Sequence, residues 1–499
     1  MAKNIVICSD GTGNSAIKDR GTNVFKLYEA VDLNGHLADS TRVPQAAFYD
    51  DGVGTETFKP FKVLGGAFGW GLSNNVKQLY GSLVRSYDAD DNIFLFGFSR
   101  GAFTVRTLGG FIAACGILDR NRYTTDAGLV AAVDDAYEVY RSKYMTGAHH
   151  HIRTLRRKFQ SQSAPYPRFD AKVSGFRETH GVHDARIAFI GVWDTVDAVG
   201  LPFDGLADFI NYFIYPFKFS DLTLNPKVSQ GRHAISIDDE RHTFHPVMWD
   251  ESVGAERIKQ VWFAGVHANV GGGYPKQGMS LASLAWMMAE AECAGLRFID
   301  EDREYYFKHQ NVNDKLYNSR AGLAVYYRYK PRDIYAICKE ANTSPKVHET
   351  AIDRIKQRTE GYAPGNVPAG LDVVATGDGP TRFPGAGAVI TNAYGKDASL
   401  LERVKFQVWV RRLSHYVFVA LSAWALWDAV QPVLAKQQDL QAKLGALFSI
   451  DGFAVLSKEL VTNPWLFALI GVLYLAGAIT EQSMRRKFSA FWHPVAPRI

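Results

Sequence analysis

The chain is predicted to fold as an α/β protein, a mostly parallel sheet flanked by helices, followed by a C-terminal helical membrane hairpin. Three observations predict this. Short apolar runs alternate with longer amphipathic stretches through residues 1 to about 300, as expected of strands joined by crossover helices. Each run ends in a loop rich in Gly, Asp, Ser, Thr or Asn, at the strand ends where open α/β sheets bind their ligands. The last hundred or so residues change character and become long, nearly uncharged and apolar.

In chain order, Asn4 to Cys8 reads as the first strand, and Met1-Ala2-Lys3 leads into it without a charged-apolar-small secretion signal. Ile93 to Phe96 is the next clear strand, with a helix expected from Ala102 to Ile112. Ile187 to Trp193 and Ile258 to Ala264 follow as further core strands. From Asp302 to about Ala363 the pattern is polar and mostly helical, which assigns residues 1–363 to one catalytic domain. Residues 364–400 are dominated by Gly, Pro and small side chains, and read as a linker or surface excursion.

Residues 401–499 read as a helical membrane-associated region with two candidate transmembrane helices, at about 413–434 and 464–480. Arg411-Arg412 precede the first and Arg485-Arg486-Lys487 follow the second. If both span, these basic flanks place the catalytic domain on the cytoplasmic side. Asp428 and Pro432 weaken the first segment and the second is short, so a pair of core helices or an interfacial hairpin is the alternative.

Composition narrows the function. With 47% hydrophobic residues among 499 there is ample material for a large core. A net charge of +5, with basic residues not interleaved with aromatics, argues against nucleic acid as a partner. Cys8, Cys115, Cys293 and Cys338 lack disulfide or metal spacing, which suits a reducing compartment. His149-His150-His151 reads as adventitious rather than a metal site, and Arg153, Arg156, Arg157 and Lys158 as a solvated helix face. No metal or cofactor is expected.

The most informative motif is Gly97-Phe98-Ser99-Arg100-Gly101, between an apolar strand and a helix. Such a strand-turn-helix exposes a serine hydroxyl at the carboxyl edge of a sheet, so the chain reads as a serine hydrolase with Ser99 as nucleophile. A hydroxyl needs a base to take its proton and a carboxylate to orient that base, in the order Ser, Asp or Glu, His. Asp194 closes the strand that ends at Trp193, whereas Asp197 and Asp204 lie further from it. His267 follows another strand and precedes Gly271-Gly272-Gly273; His233, His242, His245 and His348 lack that combination. The first loop, Ser9 to Asn14, lacks the residues of a phosphatase or phosphate-loop motif. Backbone N–H groups of Gly11 or Thr12, with that of Arg100, are therefore expected to form an oxyanion hole, supported by Asp10 and Asn14; the alternative is a purely structural turn.

The residues also carry a family resemblance. The chain resembles the catalytic-domain family of type VI secretion phospholipase effectors, relatives of the α/β-hydrolases, over about residues 3 to 368. The likeness runs through Asp10 to Asn14, Tyr49-Asp50 with Gly52 to Thr55, and Ile93 to Ala102. It continues through Gly191 to Val196, Asp239-Glu240-Arg241 with Phe244 and Pro246, Trp262 to His267, Gly271 to Tyr274, and His348-Glu349 with Arg354-Ile355. It implies an α/β-hydrolase-like fold, phospholipase or lipase activity on glycerophospholipids, and a triad of Ser99, Asp194 and His267. Where the family usually has aspartate two residues after the histidine, this chain has Asn269, which puts any role of that position in tuning His267 in doubt. A membrane-associated effector toxin or a regulated self-membrane enzyme is expected, secreted into target cells in the former case. Its partners would be phospholipid, membrane and, for an effector, a secretion adaptor or immunity protein that a single chain does not reveal. A membrane-anchored carboxylesterase and a catalytically silent membrane module are the alternatives.

Overall fold

In the computed structural model, residues 2–11, 21–51, 66–144, 169–196, 222–377, 379–434 and 460–499 are described. Thr12, Asn14, Asp197, Asp204 and the stretch from His149 to Lys158 lie outside them.

The apolar runs become strands because they are buried on both faces, as a parallel sheet sandwiched between helices requires. The strands are β1 (Asn4–Ser9), β2 (Gln45–Asp50), β3 (Asn92–Phe98), β4 (Ile117–Leu118), β5 (Val182–His183) and β6 (Ile187–Trp193). They continue as β7 (Val228–Ser236), β8 (Ile258–Phe263), β9 (Lys346–His348) and β10 (Asp372–Val374). Eight form one sheet in the order β10-β9-β8-β7-β6-β3-β1-β2, and each pairing in it is parallel. The chain steps one way from β1 to β2 and the other way from β3 onward. That reversal opens a crevice beyond the carboxyl ends of β1 and β3, where α/β sheets bind ligands.

Alternate residues of each strand supply two cores. Ile5, Ile7, Ile93 and Leu95 face α2 (Gly66–Ser86), α3 (Arg100–Cys115) and α4 (Asp126–Arg141). Val6, Cys8, Phe94 and Phe96 face α1 (Asn23–Glu29) and α5 (Gly278–Cys293). The strands expected from sequence are present, but β2, β4, β5, β7, β9 and β10 are additional. Strand β7 hid behind its polar residues, two of which have found partners inside the fold. Arg232 pairs with Glu290, and His233 accepts the Thr195 N–H at 3.1 Å.

The stretch expected to be a linker is part of the fold. It contributes β10 to the sheet and a helix, Ala386–Tyr394, whose Ile390 and Tyr394 are buried in a third core with Val347 and Ile355. Close packing requires glycine at Gly387, where an added Cβ would lie 2.4 Å from the Leu371 carbonyl oxygen. The C-terminal region is likewise not separate. Helices α6 (Lys405–Leu434) and α7 (Pro464–Val495) pack as a hairpin, and the end of α7 returns to that third core. Trp492 is fully buried there and its Nε1 donates to the Pro364 carbonyl at 2.8 Å. Trp492→Ala is expected to lower the unfolding free energy by about 3–5 kcal/mol, read as a shift of the main urea transition. An unmoved main transition would mean that α7 is an independent appendage.

Two spanning helices were expected. Among the described residues one helix, at Pro464–Arg498, is long and apolar enough to cross a membrane by length and composition. In α6, His415, Tyr416, Trp424, Trp427 and Asp428 dilute the apolar run.

Candidate active site

Four neighbouring strands end at one place. Ser99 follows β3, Asp194 follows β6, Asp239 lies in the loop after β7, and His267 opens a short helix after β8. Ser99 sits at a left-handed backbone position, φ 59° and ψ −118°, a conformation that costs an ordinary residue about 1–3 kcal/mol. Flanking geometry enforces it. A Cβ at Gly97 would meet the Gly101 carbonyl oxygen at 2.5 Å, so strand and helix approach too closely for any other residue. The Ser99 N–H donates to the Trp193 carbonyl at 3.0 Å, which ties the turn to the neighbouring strand end.

The side chains form a continuous hydrogen-bonded relay. Ser99 Oγ lies 2.8 Å from His267 Nε2, and His267 Nδ1 lies 2.5 Å from Asp194 Oδ2. Because the carboxylate only accepts, the imidazole carries its proton on Nδ1 and presents a bare Nε2 to the serine hydroxyl. The ring is fixed between Phe98, at 4.6 Å between centroids, and the edge-on Phe244, at 5.0 Å. The His267 N–H donates to Asp239 Oδ2 at 3.3 Å, and Arg241 pairs with the same carboxylate at 2.7 Å.

Asp194 is fully buried. It accepts from the Ser236 N–H at 2.9 Å, from Ser236 Oγ at 3.2 Å, and from both terminal nitrogens of Arg332 at 2.6 and 2.9 Å. Burial by itself would raise its pKa. The Arg332 guanidinium and the His267 hydrogen bond outweigh burial and hold the carboxyl far below the usual carboxylate range. For His267 burial wins. It lowers the imidazole pKa against the opposing pull of Asp194, so the ring is neutral at pH 7 and competent to accept a proton.

The first loop is anchored by Asp10. Its carboxylate accepts from the Gly11 N–H at 2.6 Å, from Thr22 Oγ1 at 2.5 Å and from the Tyr49 hydroxyl at 2.7 Å. Gly11 thus lies at the end of β1 beside the serine turn with its N–H turned to Asp10, and Arg100 is the first residue of α3. Asn269 does not bond His267. Its amide bonds Lys315 O, the Tyr317 N–H and, as a cap, the Val266 N–H. The rival histidines also have other partners. His245 lies 3.2 Å from the Lys330 carbonyl oxygen, and His348 lies 3.1 Å from Thr376 Oγ1 and stacks on Phe263.

Sequence reasoning missed Arg332 and Ser236 altogether and assigned no role to Asp239, Arg241 or Phe244. Arg332 is 138 residues from Asp194, and nothing local distinguishes it from other arginines. A cavity of about 360 Å³ behind the relay is lined by Asp239, Val266 and Arg332 and by Arg411, Glu481 and Met484 of the C-terminal helices.

The fold is that of an α/β protein whose polar cluster stands at the carboxyl ends of its parallel strands, beside the topological reversal. The chain belongs to the family of type VI secretion phospholipase effectors, Tle1-like, catalytic domain, whose model matches residues 3–290. It is 27% identical over 256 residues to an uncharacterized protein of Saccharomyces cerevisiae, an alignment that takes in 48% of this chain. The aligned part is 32% of that relative, so the chain spans about a third of its length. A crystal structure of an uncharacterized protein from Pseudomonas aeruginosa is similar at a TM-score of 0.34 and 18% identity, covering 60% of this chain and 47% of that one. That likeness is too slight to carry an argument.

Proposed function

We propose that this chain is a membrane-associated serine phospholipase, an effector toxin that hydrolyses acyl ester bonds of glycerophospholipids in target-cell membranes. The observation that carries the reading is the unbroken contact from Ser99 Oγ through His267 to Asp194, built at a strained strand-to-helix turn. Ser99 Oγ attacks the acyl carbonyl carbon while His267 Nε2 takes its proton. The oxyanion is met by the Arg100 N–H and by the first loop, where Thr12 donates or the Gly11 N–H exchanges Asp10 for the oxyanion. The intermediate collapses, the ester C–O bond breaks, and His267 returns the proton to the departing glycerol oxygen. Water then attacks the acyl-enzyme with His267 again as base, which releases the fatty acid and restores Ser99. Asp194 holds the tautomer throughout.

The C-terminal hairpin supports a membrane substrate because it displays large aromatic side chains outward and turns some of its polar ones inward. Trp409, Trp424, Trp427 and Trp465 are 57%, 55%, 64% and 55% exposed, whereas Arg411 and His415 face inward and are buried. Aromatic side chains displayed this way suit the membrane interface, and holding the enzyme there raises its effective substrate concentration.

The deciding experiment is hydrolysis of mixed phospholipid vesicles by the full chain beside Ser99→Ala, with released fatty acid and lysolipid identified by mass spectrometry. Release by the wild type and a loss of at least about 10³-fold in the variant is the expected result. Serine-dependent cleavage of short soluble esters, with no release from any bilayer, would favour an anchored carboxylesterase instead.

A further inference from the structure

Arg332 sits directly behind Asp194, outside the residues matched by the family model. Its side chain is completely buried, and its two terminal nitrogens grip both carboxylate oxygens. The same nitrogens donate to the carbonyls of Ser236 and Phe244, so the guanidinium plane is fixed from the far side. Arginine alone presents a rigid, permanently charged fork that matches a carboxylate in this way.

The acid of a serine-histidine-carboxylate relay has two tasks: to orient the imidazole and to stabilise the imidazolium. A buried guanidinium against that acid serves the first and opposes the second, because it offsets part of the charge that draws a proton onto the ring. The groups around His267 are balanced accordingly. Asp194 is clamped by Arg332 and Asp239 by Arg241, one cation for each anion. The imidazoles of His233 and His245 are pushed down to about 3 by burial and add no charge at neutral pH.

We propose that Arg332 is a positioning residue for the acid of the relay: it locks Asp194 in one orientation and, by offsetting its charge, keeps His267 an unprotonated base into acid conditions. The inference rests on the reading of Ser99, His267 and Asp194 as the reacting groups. It implies an enzyme that keeps working where an unclamped triad would have lost its base.

The test is the pH dependence of serine labelling by a fluorophosphonate in the full-length wild type, Ser99→Ala, Arg332→Lys and Arg332→Gln. In that reaction Ser99 Oγ bonds to phosphorus, His267 takes the hydroxyl proton, and fluoride leaves. The acid limb of the labelling rate reports protonation of the free enzyme's base. In Arg332→Gln the uncompensated Asp194 should raise the His267 pKa, so that the ring protonates earlier as pH falls and the limb moves up by about one pH unit or more. Arg332→Lys keeps the charge and loses the fork, so its limb should stay near the wild-type position while its plateau falls by about tenfold to a hundredfold. An unmoved limb in both variants, with only lower plateaus, would reduce Arg332 to a structural role and overturn the proposal.

A second measurement needs no substitution. The His267 ring of the wild type, followed by NMR, should titrate below the ordinary imidazole value of about 6.5, and titration at or above it would overturn the proposal as well. Failure of the wild type to be labelled at Ser99 would instead remove the reading on which the inference stands, which distinguishes the two failures.

Discussion

Replacing His267 with alanine is expected to lower kcat on phospholipid vesicles by about 10⁴- to 10⁶-fold, and adding Ser99→Ala is expected to cost almost nothing more. The reason lies in the geometry. Ser99 Oγ lies 2.8 Å from His267 Nε2, its base on the proposed mechanism, and an alcohol with no base beside it is a weak nucleophile at pH 7. Either substitution therefore removes the same step, and what remains is rate enhancement from substrate binding and the oxyanion donors. Single-turnover measurements on the two single variants and the double variant check this. Additive losses would mean that the two side chains act independently and that their contact is structural.

Gly101→Ala is expected to destabilise the fold by about 3 kcal/mol or more, and to lower kcat by about a hundredfold in whatever folds. A Cβ there would lie 2.0 Å from the Ser9 carbonyl oxygen and 2.5 Å from that of Asp10. Neither oxygen belongs to a flexible side chain. Ser9 is the last residue of β1, held in register with β2 on one side and β3 on the other. The first turn of α3 must therefore move away, and Ser99 moves with it. Gly175→Ala is the contrasting control, because an added Cβ there meets nothing within 4 Å. In the helix Phe169–His180 it should gain about 0.5–1 kcal/mol of stability from helix propensity alone. Thermal unfolding of the two variants should move in opposite directions, and a fall of similar size in both would remove the steric explanation.

Much of the site region was legible because its signals are local. The glycines at 97 and 101 bracket Ser99 within five residues, and the apolar run before them marks the strand. Asp194 and His267 were each found as the first polar group beyond a strand of buried apolar residues, and the structure brings both to Ser99. Strand β7 was not legible. Arg232 and His233 look like surface residues until their partners, Glu290 on α5 and Gln260 on β8, are known. The run from Pro364 to Lys396 failed for a related reason. Its glycines and prolines match a linker in composition, and only packing distinguishes a flexible chain from one threaded between buried elements.

Local patterns along the chain were enough for the parallel α/β class, the strained turn that presents Ser99, and the strand ends that supply a carboxylate and an imidazole. These follow from steric limits and burial periodicity acting over fewer than about ten residues. It took the folded chain to reveal that Arg332 and Ser236 hold Asp194, that Asp239 and Phe244 hold His267, and that Trp492 closes a core begun more than a hundred residues earlier. Those arrangements depend on which distant side chains the fold buries together. A buried charge requires a partner, yet no property of the nearby chain states where in the sequence that partner lies.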